Sequence, residues 1–171
     1  MKKLFVVSCL LLLSGCALFP HRVEVLQWPT DVPSLQGEGD LDMAWKKERF
    51  SGPFAIKMTY PDMLDLEVFG PFGQTLLYVK KEGDRFLLAT GEEKITDEAI
   101  FEERYGFRPE QLMDDLAMRG QKRETPAGLV AERGQYRVLY GQDRQGRRKI
   151  CWEGREGSIC LSFSEIGFAG S

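Results

Sequence analysis

The chain predicts a β-rich α+β domain, a meander of short antiparallel strands broken at its centre by two short helices. Three observations predict it. In Leu64-Asp65-Leu66-Glu67-Val68 apolar and acidic residues alternate strictly, as a half-buried strand requires. In Phe50–Tyr60 the large residues Phe50, Phe54, Ile56, Met58 and Tyr60 share even positions while Lys57 and Thr59 take the other parity. From Thr96 to Gly120 the apolar period lengthens to that of a helix, and it shortens again afterwards.

The elements follow in order. Met1-Lys2-Lys3 is a short positive start, and Leu4–Leu13 is an apolar run too short to span a bilayer. It ends in Leu13-Ser14-Gly15-Cys16, which resembles the lipobox of bacterial lipoproteins. That resemblance implies cleavage before Cys16 and acylation of Cys16; several acyl chains make such an anchor effectively permanent. Ala17, where a retention aspartate would stand, implies an outer-membrane destination. An ordinary signal peptide with an incidental cysteine is the alternative. The expected organisation is a signal peptide at 1–15, a lipidated tether at 16–35 and one domain at 36–171.

Losing Lys2 and Lys3 with the leader moves the formal charge from −3 to −5, since 21 of the 23 basic residues then face 26 acidic ones. A mildly acidic domain gives no electrostatic case for nucleic acid. The tether holds Pro20, Pro29 and Pro33, with little periodicity; Val23, Val25, Leu26 and Trp28 are candidates for a short edge strand or for docking on the domain. His21 is the chain's one histidine, so Ser-His-Asp and Cys-His catalysis lack a base and a histidine-rich metal site cannot be built. No cofactor is implied, and a non-enzymatic role is expected.

Strands are expected from Gly37 through Trp45, with Leu41, Met43 and Trp45 on one parity. They continue over Phe50–Tyr60, Leu64–Val68, Thr75–Val79 and Phe86–Ala89. The turn Gly70-Pro71-Phe72-Gly73 joins the third and fourth; proline presets φ and glycine tolerates positive φ. Phe72 is a large apolar residue at a tip that should be wet. On these residues alone we favour a ring folded back on the core over one held out to touch lipid or a lipidated partner. Thr96 is the expected N-cap of a first helix stopped by Gly106; Pro109 opens a second, Glu110–Arg119, with Leu112, Met113 and Leu116 inward and Gly120 as its stop. Such helices form a lid or plug over one face of a sheet. Strands resume at Gly128–Glu132, Tyr136–Tyr140, Arg148–Trp152 and Ser158–Ser164. The Arg119/Lys122/Arg123 and Arg144/Arg147/Arg148/Lys149 clusters read as solvated turns. Asp114 and Asp115 are adjacent and should diverge, and no catalytic carboxylate pair is evident.

A hairpin centred on Gly154–Gly157 sets Cys151 opposite Cys160 and Trp152 opposite Ile159. The cross-strand spacing suits a disulfide and an oxidising envelope favours one; two reduced, buried thiols are the alternative.

Taken together, Gly37–Leu41, the run LEVFGPFGQTLLYV, Phe86–Ala89, Asp97–Tyr105 and Gly106-Phe107-Arg108-Pro109 leading to Leu112, Leu116 and Gly120 resemble the LolB family of outer-membrane lipoprotein receptors. The likeness covers about residues 37–120. It implies an open, strongly curved antiparallel half-barrel whose mouth is plugged by short helices and whose apolar cavity holds acyl chains. Cavity-lining candidates are Leu41, Trp45, Phe54, Ile56, Met58, Leu66, Val68, Leu112 and Leu116. In the family an Asn-Pro-Leu-Gly type turn projects its leucine into solvent for membrane insertion. Phe72 stands at that position between Pro71 and Gly73, which reverses the local preference toward exposure. The partners implied are a LolA-like periplasmic lipoprotein carrier, lipidated proteins and outer-membrane lipid, with the chain a monomer. The competing function is a structural or assembly lipoprotein with a packed core that binds a protein partner.

Overall fold

The computed structural model describes residues 27–169; the expected leader and the expected acylation site Cys16 lie outside them. Among the described residues eleven strands and two helices are assigned: β1 (Ser34–Trp45), β2 (Glu48–Thr59), β3 (Met63–Phe69), β4 (Thr75–Glu82), β5 (Arg85–Thr90), β6 (Lys94–Ile95), α1 (Glu98–Tyr105), α2 (Pro109–Leu116), β7 (Arg123–Thr125), β8 (Gly128–Glu132), β9 (Tyr136–Gln142), β10 (Arg148–Gly154) and β11 (Gly157–Ala169).

All strands join one sheet in the order β6-β5-β4-β3-β2-β1-β11-β10-β9-β8-β7, each pair antiparallel. The sheet is open, because the edge strands β6 and β7 meet only through the helical segment between them. It is also curved. Three ring-to-ring steps of 4.9, 5.6 and 5.2 Å link Phe86 on β5 through Phe101 and Phe107 to Tyr136 on β9. Those strands stand seven spacings apart, about 34 Å in a flat sheet. No flat sheet can bring them so close.

The β1 strand is long because its alternation starts early: Leu35 and Leu41 are buried while Gln36 and Glu38 are not fully buried. The aromatic residues Phe54 on β2 and Phe163 on β11 both oppose Gly39 and meet edge to face at 5.3 Å. A Cβ on Gly39 would come within 2.0 Å of the Ser162 carbonyl oxygen. Glycine there lets the β11 backbone close up on β1 beside the bulge.

Helix α1 is capped one residue later than the expected Thr96. The Asp97 carboxylate accepts the Ala99 N–H at 2.8 Å, and Gly106 ends the helix at φ 78°. Helix α2 stops at Leu116 instead of running to Arg119. The chain preceding β1 causes this, because Val32 N–H donates to the Ala117 carbonyl at 2.8 Å and Asp31 N–H to that of Met118 at 3.4 Å. Both Ala117 and Met118 are fully buried.

Residues assigned to the tether therefore belong partly to the domain. Trp28 and Val32 are buried, and the Trp28 indole meets Tyr140 at 5.8 Å. The Arg148 guanidinium lies over Trp28 and donates to the Gln27 carbonyl. Nor is the neighbouring basic cluster simply solvated, since Arg147 bridges Asp40 and Asp143 at 2.6 and 2.7 Å. Residues 27–33 thus cross from the end of β1 to the ends of β9 and β10.

The β10–β11 register pairs Cys151 with Cys160 and Trp152 with Ile159, and a disulfide joins the two cysteines. Closing so short a loop is worth about 2–3 kcal/mol by loop entropy. Reduction should destabilise the folded protein to urea by that amount; an unmoved midpoint would mean that no bond was present to break.

Candidate functional site

The β3–β4 turn is built to hold its shape. Gly70 N–H donates to the Gln74 carbonyl at 2.8 Å and Gly73 N–H to that of Gly70 at 2.9 Å. The Gln74 side-chain oxygen accepts the Phe72 N–H at 3.1 Å, and Thr75 donates its hydroxyl hydrogen to Glu67. Gly73 takes φ 75°, a left-handed conformation that costs a larger residue energy. The turn leaves Phe72 92% exposed, between an exposed Pro71 and an exposed Gly73. The other large apolar side chain exposed among the described residues, Ile100, is about half as open. A ring folded back on the core is not what this geometry provides.

Beside the turn lies a cavity of about 470 Å³. Its walls come from Leu41, Ile56, Leu66, Val79 and Leu88, its roof from Phe101, Tyr105 and Phe107, and its far side from Leu112, Leu116, Trp152 and Leu161. Toward the strand ends the lining becomes exposed, at Glu48, Arg49, Gly91 and Glu92. Leu76 and Leu77, which begin β4 straight after the Phe72 turn, also line it. The opening and Phe72 therefore share one end of the sheet.

Of the nine cavity candidates, Leu41, Ile56, Leu66, Leu112 and Leu116 line the space. Trp45, Phe54, Met58 and Val68 do not; all four are core. Parity placed them on the inner face, but depth along the strand decides what they meet. The Trp45 indole N–H donates to the Arg104 carbonyl at 3.1 Å, tying β1 to the end of α1. Phe54 is spent on Phe163, and Met58 and Val68 are sealed by their neighbours. Sequence reasoning missed Phe50, Leu77, Ile159, Leu161 and Trp152 as lining residues. Their inward parity was legible; the curvature that aims them at one space was not.

The cavity's far side rests on a buried carboxylate. Asp115 on α2 is fully buried. It accepts from Arg133 Nε at 2.8 Å, Tyr136 Oη at 3.0 Å and Trp152 Nε1 at 3.0 Å, while Tyr140 Oη donates to its carbonyl at 2.9 Å. Burial pushes its carboxyl above the usual range, opposed by the Arg133 guanidinium and these donors. Burial likewise raises the Tyr136 and Tyr140 phenols, which stay neutral donors at physiological pH. The neighbouring Asp114 faces elsewhere and accepts from Tyr60 Oη at 2.9 Å. This arrangement positions Trp152 and offers no acid–base pair facing the cavity.

Removing one partner of a buried, hydrogen-bonded ion pair costs about 3–5 kcal/mol, because the other charge is left uncompensated. Asp115→Ala should lose stability on that scale in urea unfolding, whereas Asp114→Ala should lose about 1 kcal/mol, one part-buried hydrogen bond. Equal losses in the two variants would remove Asp115 from its central place.

No helix among the described residues is long and apolar enough to cross a membrane. Comparison of the chain with protein-family models and with curated proteins finds no match.

Proposed function

We propose that this protein is an outer-membrane lipoprotein of the LolB kind. Its curved half-barrel takes acyl chains into the cavity, receives lipidated proteins from a LolA-like periplasmic carrier and passes them to the outer membrane. The observation that carries this reading is the cavity of about 470 Å³ opening at the same sheet end as the turn that exposes Phe72. Its volume falls within the range of roughly 300–1,000 Å³ usual for small-molecule sites. Apolar walls would gain about 0.8 kcal/mol for each methylene they take from water.

No reacting group is needed for such a role. The acyl chains move toward better burial, first from carrier to cavity and then from cavity to bilayer. A contact with lipid at the rim shortens the second step, and Phe72 is the apolar side chain placed to make it. The alternative, an assembly lipoprotein with a packed interior, is favoured less because the interior holds this space.

Two substitutions test the two halves of the reading. Leu77→Trp adds bulk to the cavity wall near its opening and should weaken binding of a dansylated fatty acid severalfold with the fold intact. Unchanged affinity would place the ligand elsewhere. Phe72→Glu should stay within about 0.5 kcal/mol of the parent in stability, as exposed substitutions do, while delivery of a lipoprotein to outer-membrane vesicles drops. Full delivery by that variant, or a large loss of stability, would end the assignment of Phe72 to membrane contact.

A further inference from the structure

On four neighbouring strands the cavity lining stops at the same rung. Ile56 on β2, Leu66 on β3, Val79 on β4 and Leu88 on β5 line the space, and the register sets them side by side. The next inward-facing rung, two residues deeper on each strand, is Met58, Leu64, Lys81 and Phe86. None of these four lines the cavity, and all are buried. Lys81 completes the row without leaving a bare charge against apolar space. Its ammonium pairs with Glu110 at 3.3 Å and donates to the Gly83 carbonyl. The row is a floor.

From that floor to the rim the space has a definite length. Ile56 stands six residues from Phe50, the β2 lining residue just inside Glu48 and Arg49, about 20 Å at a strand's rise. One leaflet of a bilayer, half of a hydrocarbon core of about 30 Å, gives an acyl chain about 15 Å. The volume agrees. An apolar cavity of about 150 Å³ holds benzene, roughly 25 Å³ for each carbon, so a cavity of about 470 Å³ holds about 19 carbons. One chain fills it, and a second has no room.

We propose, resting on the reading above, that the cavity is a single-chain site of fixed depth. It takes one acyl chain, tail down to the row of Met58, Leu64, Lys81 and Phe86, and so limits chain length. The ligand class is any lipid that can offer one chain of up to about 16–19 carbons, fatty acids and lysophospholipids included. A lipoprotein with several acyl chains puts one inside and keeps the others outside, at the sheet end that carries the Phe72 turn.

The test uses the full chain carrying Cys16→Ala, so that no acyl group of its own competes. Saturated fatty acids of about 8 to about 22 carbons, each below its micelle concentration, displace a dansylated fatty acid. Affinity should rise about fourfold with each methylene and stop rising at about 16–19 carbons. Native mass spectrometry should find one fatty acid per protein at saturation. Met58→Ala takes three heavy atoms from the floor and should move the break to longer chains by about three carbons. Met58→Leu, which conserves volume, should leave the break in place. Leu64→Ala, from the next strand of the same row, repeats the test should Met58→Ala fail to fold. An affinity that climbs through the longest chain, two fatty acids per protein, or a break that ignores the floor variants would overturn the length limit while acyl binding stands. Failure of every chain length to displace the dansylated fatty acid would end the acyl-binding reading itself.

Discussion

The three acidic side chains of α2 fasten a helix of eight residues to distant parts of one sheet. Glu110 pairs with the buried Lys81 on β4 at 3.3 Å, Asp114 takes the Tyr60 hydroxyl beyond β2, and Asp115 gathers Arg133, Tyr136 and Trp152 from the other side. An open sheet has no ladder across its gap, so something else must set the curvature. Here it is α2, and Asp115 is the strongest of its ties because it is a charge with no access to water. Leaving its donors unpaired would be costly, and that cost holds β9, β10 and the β8–β9 turn to the helix.

The cavity follows from the same constraint. Side chains on the inner face of a curved sheet converge, and a run of aromatic rings from Phe86 to Tyr136 fills the space under the helices. Toward the far sheet end Met58, Leu35 and Leu64 close the interior. Nearer the Phe72 turn the inner positions Leu66, Leu76, Leu77 and Val79 line the space. Trp152 sits at the boundary, one edge lining the cavity and its N–H held by Asp115. A ligand in the cavity would therefore touch Trp152, a partner of Asp115, and would raise stability by mass action.

Much of this was legible in the sequence because its signals are local. Alternation in Phe50–Tyr60 and Leu64–Val68 marks strands wherever they end up, and the positions of Cys151 and Cys160 about Gly154–Gly157 define a hairpin register without any knowledge of the fold. The illegible parts depend on contacts between residues far apart in the chain. Helix α2 ends early because Val32, more than eighty residues before its end, takes the carbonyl of Ala117. Four inner-face residues miss the cavity because parity sets the face and not the depth. In the sequence Asp115 is one of an adjacent pair expected to diverge. It does diverge from Asp114, but into the core, and its partners at 133, 136 and 152 have no spacing that a local reading could detect.

Among the described residues Phe72 is the more exposed of the two large apolar side chains left open to water, and its turn is hydrogen-bonded to keep it there. A flexible loop would let the ring collapse onto Leu76 or Leu77 and recover its burial energy. Gln74 prevents this by accepting the Phe72 N–H while its backbone carbonyl takes that of Gly70, and Thr75 pins the strand start to Glu67. With the backbone fixed, the ring stays off the domain, 92% exposed. A turn that left Phe72 loose would be satisfied by the domain itself. This one leaves the ring in water.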